Sequence, residues 1–106
     1  MSVQFVQSVR SRPEALRIGG DGRTLRIRVE ILELWDVVKV QAAESATVLD
    51  VKMAVLAELL PVADELNYVM KLRGLEVLYE GQTLAESGAI DGSIFLLSHR
   101  LRRPVR

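Results

Sequence analysis

Between Leu25 and Ala42 apolar and polar residues alternate in two runs. Leu25, Ile27, Val29 and Ile31 interleave with Arg26, Arg28 and Glu30, the two-residue period of a strand with one buried face. The alternation slips at Leu32, Leu34 and Trp35 and resumes at Val38, Val40 and Ala42. A second strand should therefore fold back on the first through a hairpin turning near Glu33 to Val37. That stretch has no Gly or Asn, which predicts a longer or bulged turn.

From Thr47 to Leu60 the period changes. Val48, Val51, Val55 and Leu59 recur at three- and four-residue spacing, which places them on one helix face. Thr47 and Asp50 read as an N-cap with a capping-box acid. Pro61 cannot donate a backbone hydrogen bond and disfavours helical geometry at Leu60, so the helix ends there. Three strand candidates follow: Tyr68 to Arg73, Leu75 to Tyr79, and Ile94 to His99, with a small turn within Thr83 to Gly92. The order β-β-α-β-β-β predicts an α+β domain in which a mixed sheet of four to five strands packs on one helix.

Residues 1–22 show no sustained period, and Gly19, Gly20 and Gly22 around Asp21 form a flexible break. The chain divides accordingly into a flexible basic extension (1–22, with room for a short helix around Pro13 to Ile18), a domain (23–101) and a basic tail (102–106). The expected core is Ile27, Val29, Ile31, Val38, Val40, Val48, Val51, Val55, Leu59, Leu84, Phe95 and Leu97.

Composition bounds the function. The chain has 106 residues, 49% of them hydrophobic, enough for one compact domain. Net charge is zero but unevenly spread. Residues 1–28 hold six Arg against Glu14 and Asp21 (6 − 2 = +4), residues 29–92 four cations against twelve acids (4 − 12 = −8), and residues 93–106 four Arg. With no Cys, disulfides, thiolate catalysis and cysteine metal sites are excluded. No apolar run approaches the roughly 18 residues of a membrane span, and no signal-peptide core follows Phe5 and Val6. A soluble, cytoplasmic monomer is expected.

Two runs carry a resemblance. Thr47 to Val55, T-V-L-D-V-K-M-A-V, and Gly81 to Gly92, G-Q-T-L-A-E-S-G-A-I-D-G, resemble the helix opening and the Gly-x-x-Leu-x-acid-x-Gly pattern of ubiquitin-like β-grasp proteins. The second departs at Ala89, where the family usually has a larger aliphatic; Ile90 is expected to fill that space. Within the superfamily, E-L-W-D at Glu33–Asp36 and Tyr68-Val-Met-Lys-Leu are most similar to small bacterial YukD/EsaB-type proteins. That likeness implies an accessory binding role beside a type VII-like secretion system, without conjugation.

Catalytic chemistry finds little support. The tail Arg100-Leu-Arg-Arg-Pro-Val-Arg106 lacks the terminal Gly-Gly that conjugation or sulfur transfer needs in this family, and Pro104 stiffens it. His99 is the only histidine, so no triad or all-His metal site is available. It reads as a surface residue ending the last strand. Acid pairs such as Asp64-Glu65 follow from the number of acids, Gly19-Gly20-Asp21-Gly22 is no phosphate loop, and Lys52 is expected to snorkel beside the core. No enzyme activity, cofactor, metal or small-molecule substrate is expected. Binding a protein is the open option. Matching to the family puts Phe95 and Leu97 against the helix, which leaves Ile94 and Leu96 on the outer sheet face. Tyr68 and Met70 on the neighbouring strand, and Leu34 and Trp35 at the hairpin, extend the expected patch, though Trp35 can equally fold back onto the sheet edge. The rival readings are a small β-grasp subunit of a multicomponent oxygenase, and a modifier or sulfur carrier with a processed or degenerate tail. Nucleic-acid binding through the Arg-rich ends is disfavoured, since no aromatic stacking platform accompanies them.

Overall fold

The computed structural model describes residues 15–100. Expectations for residues 1–14 and for the tail from 101 lie outside the described residues. Six strands form one mixed sheet: β1 (Leu16–Ile18), β2 (Thr24–Ile31), β3 (Asp36–Ala43), β4 (Tyr68–Leu72), β5 (Leu75–Glu76) and β6 (Ile94–His99), in the spatial order β1-β3-β2-β6-β4-β5. Helix α1 (Val48–Leu59) covers one face, and a single-turn helix α2 (Leu84–Ser87) precedes β6.

The alternating runs become β2 and β3, antiparallel with Val29 opposite Val38 and Ile27 opposite Val40. Leu25, Ile27, Val29, Ile31, Val38, Val40 and Ala42 are buried on the α1 side, whereas Val37 of β3 faces the other way. Leu32–Trp35 joins them through two turn bonds, Leu34 N–H to the Ile31 carbonyl and Trp35 N–H to that of Leu32. Trp35 closes the turn at φ +52°. The hairpin is thus the longer type expected from a sequence without Gly or Asn. Two bonds hold it beside β6: the Leu32 N–H donates to the Leu97 carbonyl (3.2 Å) and the His99 N–H to Glu33 Oε2 (2.9 Å).

Helix α1 begins as its sequence requires. Thr47 Oγ1 accepts from the Asp50 N–H (2.9 Å), and the Asp50 carboxylate accepts from the Thr47 N–H (3.1 Å), closing a full capping box. Val48, Val51 and Val55 are fully buried against Phe95, Leu97 and the inner residues of β2 and β3. Thr83 and Glu86 repeat the capping box for α2, which stops at Gly88 in the left-handed region (φ +93°), where a Cβ would be strained.

Several expectations are corrected. Leu16–Ile18, assigned to the flexible extension, is a strand, parallel to β3, and not a helix. Leu59 is only half-buried, and Leu56 takes its place in the core. Ala89 itself is buried while Ile90 turns out to solvent, so the smaller side chain suffices at that site. The second strand after α1 shrinks to Leu75–Glu76, although Val77 still donates its N–H to the Met70 carbonyl (2.8 Å). Lys52 does not snorkel. It is 1% exposed, its Nζ 2.6 Å from Glu80 Oε1 and 2.9 Å from the Tyr68 carbonyl.

Candidate docking face of the sheet

The face turned away from α1 is built by the alternate residues of each strand. The strand register sets its rows. One runs Arg17, Gln41, Arg26; the next Lys39, Arg28, Ile94; the third Val37, Glu30, Leu96, Lys71. Beyond them Ser98 lies opposite Val69, and Leu32 lines the same shallow concavity as both. Ile94 and Leu96 thus form an apolar pair on β6, and Val37 stands two strands away on β3 with Glu30 between it and Leu96. Val37 is 47% and Ile94 42% exposed, while Leu96 is half-buried.

Arg28, Lys39 and Lys71 surround the pair, together with one acid, Glu30. Arg28 and Lys39 occupy directly opposed positions, an arrangement that is unfavourable for like charges on one face. Neither makes an ion pair among the described residues. Arg26, in the next row, is neutralised by Asp91: Nη2 to Oδ2 is 2.7 Å, and the Arg26 backbone N–H donates to Oδ1 at 2.7 Å. Of the six Arg in residues 1–28, Arg17, Arg26 and Arg28 are exposed strand positions of the sheet.

The hydrogen bonds from Arg26 hold the Asp91 carboxyl at about 2, below its ordinary 3.8. Because the folded value is depressed, the pair's contribution is present above the unfolded value. It is lost as pH falls from about 3.8 through about 2. An NMR titration of the Asp91 carboxyl carbon will give a midpoint near the lower figure, and Arg26→Ala will return it toward the ordinary one. A midpoint unmoved by that substitution would contradict the pairing.

The residues expected to form the patch divide. Ile94 and Leu96 are on the outer face. Trp35 does not fold back onto the sheet; it stands at the hairpin tip, 86% exposed, in a left-handed conformation that costs a bulky residue on the order of 1–2 kcal/mol. Leu34 is half-buried against the core. Tyr68 and Met70 are misassigned, because Met70 lies opposite Leu97 and Tyr68 opposite His99. That register turns them to the helix side, where Met70 is fully buried and Tyr68 meets the His99 ring edge-on at 5.0 Å. Val37 and Leu32 were missed. Their signal was an apolar residue on the polar phase of each strand's alternation.

A second exposed apolar group, Leu75, Leu78 and Tyr79, lies at the β5 edge. It is bordered by Arg73 and Glu76, one charge of each sign. Among the described residues no cluster of His, Asp and Glu is placed to hold a metal ion, and no helix is long and apolar enough to cross a membrane.

This architecture is shared with solved ubiquitin-like structures. Ubiquitin of Caldiarchaeum subterraneum is 21% identical over 78% of this chain and 98% of its own, with a TM-score of 0.64. The C-terminal ubiquitin-like domain of mouse tubulin-specific chaperone e is 21% identical over 83% and 96%, TM-score 0.65. A ubiquitin-like domain from Arabidopsis thaliana is 14% identical over 79% and 85%, TM-score 0.62. The fold is ubiquitin-like β-grasp. No family model matches the sequence, and no curated protein matches it as a relative.

Proposed function

We propose that the chain is a non-enzymatic interaction module that docks a larger protein on the outer face of its sheet. The observation that carries this reading is the outward-facing apolar pair Ile94 and Leu96, with Val37 across Glu30, beside the opposed cations Arg28 and Lys39. Burying one such side chain is worth roughly 1.5–3 kcal/mol. Ile94, Leu96 and Val37 with Trp35 and Leu32 supply enough for a transient complex. A partner segment with apolar residues flanked by Asp or Glu fits best, since it relieves the repulsion between Arg28 and Lys39. Trp35 is the natural anchor: aromatic, exposed and held in a conformation the isolated chain would not choose.

The likeness to YukD/EsaB-type proteins supports a bacterial, cytoplasmic setting as an accessory of a type VII-like secretion system, without conjugation. A gene neighbourhood of secretion ATPases would agree with this, whereas di-iron hydroxylase genes would favour the oxygenase-subunit reading.

An affinity pull-down from the native host tests the face. Ile94→Arg and Leu96→Arg will each lose the prey held by the unsubstituted chain while keeping its melting temperature. Trp35→Gly will also weaken capture, yet raise stability by up to about 1 kcal/mol through release of the left-handed strain. Prey retained by folded forms of all three would refute the surface.

A further inference from the structure

The second exposed apolar group sits where the sheet ends. Strand β5 is last in the spatial order. Its Leu75 is 74% exposed, and Leu78 and Tyr79 just beyond it are 84% and 70% exposed. All three line one shallow concavity together with Leu72 and Val77. The Val77 N–H bonds back to the Met70 carbonyl at 2.8 Å, so the alternation along the strand turns the main-chain N–H and C=O of Glu76 outward, away from β4. A sheet edge in that state is a template for another strand.

Charge says which partner fits. The outer sheet face carries Arg17, Arg28, Lys39 and Lys71 against Glu30, and the connector after α1 carries Asp64 and Glu65. Each of these surfaces repels its own image. The β5 edge does not, because it has one cation, Arg73, and one acid, Glu76. Both are held loosely: Arg73 Nη2 lies 3.4 Å from the Gly88 carbonyl, and Arg100 Nη1 lies 3.7 Å from Glu76 Oε2. An acidic or a basic partner would match one of the two charges and oppose the other. A second copy of this chain matches both, and at a net charge of zero no long-range repulsion keeps the copies apart.

We propose that the chain forms a two-fold homodimer through the β5 edge, in place of the monomer expected from its sequence. In such an interface each residue meets its counterpart reciprocally. An axis beside Leu75 sets that side chain against its own copy. It also brings Arg73 of each copy one position from direct opposition to Glu76 of the other, within reach of its long side chain. Leu78 and Tyr79 are then covered on the flank. The outer face stays free, and this inference does not rest on the docking assigned to it.

Sedimentation equilibrium of the full chain tests the proposal. The unsubstituted chain will show a reversible monomer–dimer equilibrium. Leu78→Asp will weaken it by roughly thirtyfold or more, the loss typical of a central interface anchor. Arg73→Glu and Glu76→Arg will each weaken it by placing like charges together, and the double swap will restore it, since both members of each pair then change sign. Ile94→Arg, on the outer face, will dimerise like the unsubstituted chain. A chain that stays monomeric at every concentration would overturn the proposal, as would a dimer indifferent to Leu78→Asp, one lost in Ile94→Arg, or single swaps that the double swap does not rescue. Hydrogen exchange of the unsubstituted chain decides the matter should the variants fail to fold. The Glu76 amide will gain protection as concentration rises, and protection independent of concentration would overturn the dimer.

Discussion

Val51→Asp will abolish the cooperative melt of this domain. Val51 is fully buried at the centre of the α1 face that covers the sheet. The substitution removes its packing and places a carboxylate where no described cation is free to meet it; the buried Lys52 is already engaged by Glu80. Burying a charge unpaired costs many kcal/mol, whereas a domain of this size has only about 5–15 kcal/mol of net stability. The control is Met53→Asp, two residues on and 47% exposed, which will lose less than about 1 kcal/mol through helix propensity alone. Circular dichroism melts of the pair decide it. A two-state transition retained by Val51→Asp would refute the packing of α1 on the sheet.

Glu80→Ala will be the next most damaging change, at about 3–5 kcal/mol, because it strands a buried ammonium. Lys52 Nζ has Glu80 at 2.6 Å and the Tyr68 carbonyl at 2.9 Å, and the carbonyl alone does not neutralise it. Glu80 keeps some exposure (18%), which puts the loss toward the lower end. The double substitution Lys52→Met with Glu80→Ala will recover much of it, since removing both charges leaves nothing unpaired. Urea denaturation of the three variants measures this. A double variant no more stable than Glu80→Ala would show that the ion pair is not the cause.

What could be read from residues alone follows the strength of local periodicity. Strands β2 and β3 and helix α1 announce themselves because one face of each is uniformly aliphatic, and Thr47 and Thr83 mark helix starts through short-range hydrogen bonds. Strand β4 was placed along the chain but its faces were reversed. From Tyr68 to Arg73 one phase holds Tyr68, Met70 and Leu72 and the other Val69, Lys71 and Arg73. The alternation itself points Tyr68 and Met70 inward, as the pairing of Met70 with Leu97 bears out. Lys52 was misjudged for a different reason. Its partner lies 28 positions away, and no local pattern reports a long-range ion pair. Strand β1 was invisible because three residues beside a Gly-rich break carry no period. The candidate site was half legible: Ile94 and Leu96 follow from alternation in β6, whereas the facing of Arg28 with Lys39 exists only once the hairpin register is fixed.

Everything functional rests on the outer face of the sheet being covered by another protein. Site-specific photo-crosslinking in the native host tests that most directly, with the reactive side chain placed either at Leu96 or at Met53 on the exposed side of α1. The Leu96 position will yield a discrete protein adduct that weakens as salt rises, and the Met53 position will not. An adduct from Met53 with none from Leu96 would contradict the account.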